Sequence, residues 1–237
     1  VVSQKEHPFI ALLGETELAA DERLPIPDDA AREDKVKQVN SLFGVGDVRT
    51  VRDKAALYKR HVKEGKETTN DEAAQFVLYS IALRLASEAG EADAALVAVD
   101  RLAAKFQVDR TKLRVEAIAD CATAPAPAAL RVRTIGRGIE LLDELIADDR
   151  YSEAGRLVVG LGRVARNLRN PQLVQHLAQR RNLGKELFAD YEAAQQAIEK
   201  LRENPDDVDA ALTAGTFIAL AKGDWQRGLP LLAAGSD

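Results

Sequence analysis

"EAAQFVLYSIALRLASEAGEADAALVAVDRLAAKFQVD", residues 72–109, decides the fold. Phe76, Val77, Tyr79, Ile81, Leu83 and Leu85 fall at helical spacing up to Gly90. After the glycine, Leu96, Val99, Leu102 and Phe106 recur three and four residues apart. Two helices joined by a tight turn must run antiparallel and bury their apolar sides on one another. The preceding "TND" supplies side-chain oxygens that can accept the free amides of a first helical turn.

The same grammar extends in both directions. Upstream, "PDDAAREDKVKQVNSLFG" predicts a helix that starts on Pro27, Asp28 and Asp29, carries Val36, Val39, Leu42 and Phe43 on one side, and stops at Gly44. A second is expected over about 47–64, with Val51, Ala55, Leu57, Tyr58 and Val62 as its stripe and Gly65 behind it. Downstream, Asp109 is placed to cap a helix through Leu113, Val115 and Ile118. Further helices are expected over about 128–147, 151–169, and from Asn170 and Pro171 to about Arg202. "NPDDVDAALTAGTFIALAKGDWQRGLPLLAAGSD", residues 204–237, closes the chain with a last pair. In its first helix Pro205 should occupy the first turn, with Leu212, Phe217, Ile218 and Leu220 on the buried side. In its second, Pro230 is tolerated if the helix begins near Asp224.

About ten helices and no convincing strand predict an all-α fold, an irregular stack of antiparallel helical hairpins of the tetratricopeptide-like α-solenoid kind. Residues 1–27, broken by Pro8, Gly14, Pro25 and Pro27, read as a tail or linker. Residues 28–121 form an N-terminal helical half. "ATAPAPAA" at 122–129 reads as an Ala/Pro hinge, and 130–237 as a C-terminal half ending in a tetratricopeptide-like hairpin.

Three turns share a signature: "GEADAAL" at 90–96, "DRYSEAG" at 149–155 and "GDWQRGL" at 223–229. A Gly or Asp opens each turn, the residue two later can pack back, and a small residue five later (Ala95, Ala154, Gly228) lets the new helix approach its partner. Gly90, Gly223, Gly228 and the single tryptophan, Trp225, are therefore expected to be structural, with the indole as a packing anchor. The closing segment is 34 residues long, the period of tetratricopeptide hairpins. The turns lie 59 and 74 residues apart, so the repeat is degenerate.

Composition narrows the function. A net charge of -5 argues against a surface built throughout for nucleic acid. Cys121, the single cysteine, has no disulfide partner and no neighbouring His to make a metal motif. The sequence begins at Val1 and holds no methionine, which fits a removed signal peptide or an upstream segment. No apolar run reaches the roughly 18–20 residues of a membrane-spanning helix.

Catalytic and cofactor chemistry finds no foothold. His7, His61 and His176 lie too far apart in sequence to pair at metal-ligand spacing. "GVG" at 44–46 and "GRG" at 136–138 lack the strand and the lysine of a phosphate loop. The carboxylate pairs Asp28–Asp29, Asp148–Asp149 and Asp206–Asp207 sit at helix starts, where capping and the helix dipole explain them. No catalytic residue, metal or cofactor is assigned.

One stretch is less ordinary. Between Gly155 and Lys185 stand Arg156, Arg163, Arg166, Arg169, Arg180, Arg181 and Lys185, with no Asp or Glu; at seven positive charges there, the remainder carries -12. Arg156, Arg163, Arg166 and Arg169 fall on one side of a helix, largely opposite Leu157, Leu161, Val164 and Leu168. Either this is a solvated face paired with acidic neighbours, or Arg156, Arg163, Arg166, Arg169, Arg180 and Arg181 bind an acidic protein, a sulfated glycan or a nucleic acid.

"ERLPIPDDAA" at 22–31, residues 72–109, "DDRYSEAGRLV" at 148–158 and the closing segment together resemble a tetratricopeptide-like helical domain of large secreted or envelope proteins of planctomycetes. A Leu-Pro-x-Pro-Asp entry, an Ala-rich middle and a closing "gdW..GLplLa.GsD" recur in that family. The resemblance implies a scaffold module joined to other domains of a secreted or envelope protein. It carries no catalytic residue over. Members often have a Cys before the last turn; "FIALAKGDW" lacks it, so any role of that Cys is absent here. The expected function is a non-catalytic scaffold or protein-interaction module, with an anion-binding domain as the alternative.

Overall fold

A computed structural model describes residues 23–44 and 50–235. Among them are ten α-helices: α1 Asp29–Phe43, α2 Val51–Glu67, α3 Glu72–Glu88, α4 Ala92–Lys105, α5 Arg110–Thr123, α6 Ala128–Ala147, α7 Tyr151–Asn167, α8 Pro171–Glu203, α9 Val208–Thr216 and α10 Trp225–Ala234. α9 continues into a π-helical turn, Phe217–Ala221. No strand occurs among the described residues beyond an isolated bridge between Leu24 and Phe106. The chain is an all-α stack of helices, as its spacing predicts. Contacts divide the described residues into two units, one of 23–144 and 152–180, the other of 145–151 and 181–235.

In the larger unit, local chemistry sets the helix starts. Asp28, Thr50, Asp71 and Asp109 each accept an amide of the following first turn, satisfying donors that the helix itself leaves open. α3 is the central rod, buried on several sides from Phe76 to Ser87. Phe106, fully buried, meets Phe76 edge to face at 5.0 Å, with Leu24 and Leu113 packed around them. Burying such a ring is worth about 2–3 kcal/mol. Arg23 to Pro27, expected as tail, is instead tied down: Leu24 N donates to Lys105 O and Gln107 N to Leu24 O, both at 2.8 Å.

Three further expectations change here. On α1 only Val39 is buried, and Leu42 is 74% exposed, because α3 covers one side of this helix and α2 adds His61 and Arg60 against Phe43. Gly65 does not end α2 but lies inside it, where a Cβ would come within 2.7 Å of the Tyr79 ring; the glycine makes room for the tyrosine. The expected start of α2 near 47 lies outside the described residues. Nor is 122–129 a free hinge: Ala122, Ala124 and Ala126 are buried, and a Cβ on Gly90 would sit 2.5 Å from that of Ala126. The small residues that suggested mobility serve close packing, and the two units part at 145–151 and 181 instead.

In the smaller unit, Ala194, Ala197 and Leu201 of α8 form a core with Ala210, Ala214, Phe217, Ile218 and Leu231. α9 and α10 approach until backbone meets backbone. A Cβ at Gly215, Gly228 or Gly235 would lie within 2.8 Å of main-chain atoms of Leu232, Ala219 and Leu212 respectively. Asp207, not Pro205, starts α9, accepting from Ala210 N at 2.9 Å, and Pro205 sits in the preceding turn. The π turn holds one residue more than an α turn and so rotates the residues beyond it. Phe217 and Ile218 point inward, whereas Leu220 is 63% exposed and Leu212, expected inside, is 44% exposed. Pro230 falls in the second turn of α10, beyond the positions whose amides are free anyway.

The shared turn signature has a single backbone cause. Gly90, Asp149 and Gly223 all take left-handed conformations, with φ of 72°, 59° and 69°. Gly90 N donates to Ser87 O and Glu91 N to Ala86 O, closing the preceding helix with a Schellman motif; Asp149 and Arg150 repeat the pair. Arg169, at φ 53°, makes a fourth such turn between α7 and α8 that its residue type conceals.

Candidate functional site

α7 presents the face to which the sequence points. Tyr151, Ala154, Leu157, Val158, Leu161, Val164 and Ala165 are buried, while Arg156, Arg163 and Arg166 are exposed on the other side. Arg169 is exposed too, but on the left-handed turn beyond the helix rather than on the helix itself. None of these four side chains forms an ion pair or hydrogen bond with a described residue, so the expected pairing with acidic neighbours is not found. Arg180 differs: its Nε and Nη2 each donate to a carboxylate oxygen of Asp143 at 3.0 Å, and its guanidinium also contacts His176. Arg181 belongs to the smaller unit, where it is exposed and unpaired.

Elsewhere in the larger unit, several cations that face another helix are neutralised. Arg114 grips Glu144 with both terminal nitrogens, and this holds the Glu144 carboxyl below its ordinary range. Lys35 pairs with Asp71, and Lys54 with Glu88, each at 2.7 Å. The Lys35 hydrogen bond lowers the Asp71 carboxyl. A bare guanidinium row beside such pairing has an electrostatic consequence: it attracts anions, and each arginine can offer a carboxylate two parallel bonds.

Two hollows adjoin α5. One, of about 540 Å³, is lined by residues including Lys54, Arg84, Glu88, Glu116 and Asp120; its two cations face three carboxylates, so it does not favour an anion. The buried Ser87 hydroxyl also lines it. The other, of about 330 Å³, lies between the end of α5, the start of α6 and α7. Arg131, Arg163 and Asn167 are its charged and amide groups, Leu157, Leu161 and Val164 part of its apolar wall, and no acid lines it. Arg131 Nε is shielded from solvent without a hydrogen-bond partner. Reading the basic run 155–185 misses Arg131, which stands outside it. The available signal was the absence of any acid three or four residues from Arg131 in the sequence.

Burial governs Cys121 and His61. Cys121 is fully buried, and desolvation pushes its thiol up to about 12, far from a working nucleophile. His61 is fully buried, its Nδ1 2.8 Å from Leu57 O; burial pushes its pKa below 6.5. His176 touches Arg180, and His7 lies outside the described residues. No group of three or more His, Cys, Asp or Glu among the described residues is arranged to hold a metal. Gly136 and Gly138 sit within α6, where Gly138 faces the Leu161 side chain. Gly44 ends α1 in a left-handed conformation.

Of the four positions expected to be structural, Gly90 and Gly223 take left-handed conformations and Gly228 lies against the Ala219 backbone. Trp225 is the correction. It opens α10 with 51% of its surface exposed, whereas Gly228 and Leu231, about 60° and 120° away around the helix, are the positions that meet the partner. No helix is long and apolar enough to cross a membrane among the described residues. No family model, curated protein or solved structure matches the chain.

Proposed function

We propose that this chain is a non-catalytic helical scaffold of the tetratricopeptide-like α-solenoid kind, which holds an acidic protein segment against the arginine face of α7. The observation that carries the reading is the set Arg156, Arg163, Arg166 and Arg169, exposed and without counter-ions while Lys35, Lys54 and Arg114 of the same unit are paired. The acidic remainder of the chain supports a short acidic partner over a long polyanion, which would run from the arginines onto like charge. The resemblance of the entry, middle and closing motifs to a planctomycete domain supports a place within a larger secreted or envelope protein, whose neighbouring domains are candidate partners.

Binding of a short fluorescein-labelled poly-glutamate, of about six residues and so matched to the few arginines of the face, tests this. Affinity should fall as salt rises from about 50 to 200 mM, where the screening length shrinks towards 8 Å. Arg166→Glu with Arg169→Glu should abolish it. Unchanged binding in that double variant overturns the reading. The same row suits a sulfated glycan, since sulfate accepts the arginine fork as carboxylate does; a heparin fragment that outcompetes poly-glutamate at equal charge would favour that reading.

A further inference from the structure

The 330 Å³ hollow beside the arginine face has the construction of a specific subsite. Its charged lining is two guanidiniums on different helices, Arg131 of α6 and Arg163 of α7, with the Asn167 amide between hydrophobic walls and no carboxylate facing them. Buried donors are ordinarily satisfied, yet Arg131 Nε is out of contact with solvent and bonds to nothing. Gly160 also lines the hollow, and a Cβ there would meet no atom within 4 Å. Packing therefore does not require glycine at this point inside α7, where it weakens the helix relative to alanine. The lack of a side chain keeps the space open.

We propose that this hollow seats one acidic side chain of a bound peptide together with the aliphatic residue beside it. The carboxylate would lie between Arg131 and Arg163, and the aliphatic group against Leu157, Leu161 and Val164. A carboxylate accepts two donors from a planar guanidinium, and the apolar wall gives an aliphatic neighbour a place out of water. A nucleic acid would leave that wall unused, since bases seek aromatic platforms, and no Phe, Tyr or Trp lines the hollow. The inference rests on the reading of α7 as a face for acidic protein segments; it adds where the peptide is read and what sequence it prefers.

The test is anisotropy of a short fluorescein-labelled peptide alternating glutamate and leucine between glycine ends, titrated with the whole chain. Arg131→Leu, which preserves apolar bulk, should weaken binding at least about tenfold, as loss of a charge-assisted pair does. Arg131→Lys should not restore it, since lysine lacks the fork. Gly160→Leu keeps every arginine, favours the helix, fills the hollow and should abolish the preference for this peptide over a glutamate–glycine one. Lys63, exposed on α2 and paired with Glu67, belongs to neither the hollow nor the arginine face, so Lys63→Gln should change binding less than about twofold. Thermal melts confirm that each variant is folded. If Arg131→Leu and Gly160→Leu both bind as the parent while Arg166→Glu with Arg169→Glu abolishes binding, the subsite is refuted and the arginine face stands. If neither set changes binding, both fall. An oligothymidylate of equal charge that binds as tightly and is displaced by the same variants overturns the choice of peptide.

Discussion

The turns at Gly90 and Gly223 share a plan and differ in outcome. Each opens on a left-handed glycine, and each has a buried small residue five positions on, Ala95 or Gly228. At the first turn the residue two positions on, Ala92, is 1% exposed; at the second it is Trp225, 51% exposed. The first turn is also covered from outside by Ala124 and Ala126, whereas a Cβ on Gly223 would meet nothing within 4 Å. The motif therefore dictates how two helices come together at a turn. It does not dictate which of their remaining faces is covered, which depends on what the rest of the chain lays over them.

Five substitutions would break or sharpen this contrast. Gly90→Ala carries both a left-handed strain and a clash with Ala126, and should cost about 3 kcal/mol in chemical denaturation. Ala126→Gly in the same chain should recover the steric part only, leaving a deficit of about 1 kcal/mol. A fully neutral double variant would deny the strain. Gly228→Ala forces a methyl onto the Ala219 backbone but gains helix propensity, so the loss should be nearer 2 kcal/mol. If it proves harmless, the backbone contact between α9 and α10 is not tight. Arg169→Gly relieves a non-glycine residue at positive φ and should stabilise by about 1 kcal/mol, raising the melting temperature. A drop would mean that the Arg169 side chain holds the turn. Trp225→Ala should change stability by no more than about 0.5 kcal/mol, as for an ordinary surface position. A loss of several kcal/mol would restore the indole as an anchor.

How much the residues disclose on their own tracks the reach of the interactions involved. Helix number, the caps at Asp28, Asp71 and Asp109, and the three turns are legible because each depends on neighbours within one helical turn. Most of the misreadings concern contacts distant in sequence. Gly65 looks like a terminator until Tyr79 is seen lying on it. The alanines at 122–126 look mobile until Gly90 is seen pressed into them. "FIALA" contains nothing that announces a π turn, so the exposure of Leu220 is hidden with it. At the candidate site, the guanidinium row can be read directly because Arg156, Arg163 and Arg166 lie along one helix and Arg169 follows it closely in sequence. Arg131 cannot, because it joins the hollow only through the packing of α5, α6 and α7.

The wide turn at Phe217–Ala221 gives the last hairpin an adjustable phase. Omitting one amino acid there would let the coil tighten to its ordinary pitch and swing the outward leucine side about 100° around the axis. Length variants within those five positions would therefore re-aim the rim of the α9–α10 pair, leaving the caps at Asp207 and Asp224 in place as fixed ends of a rotating middle.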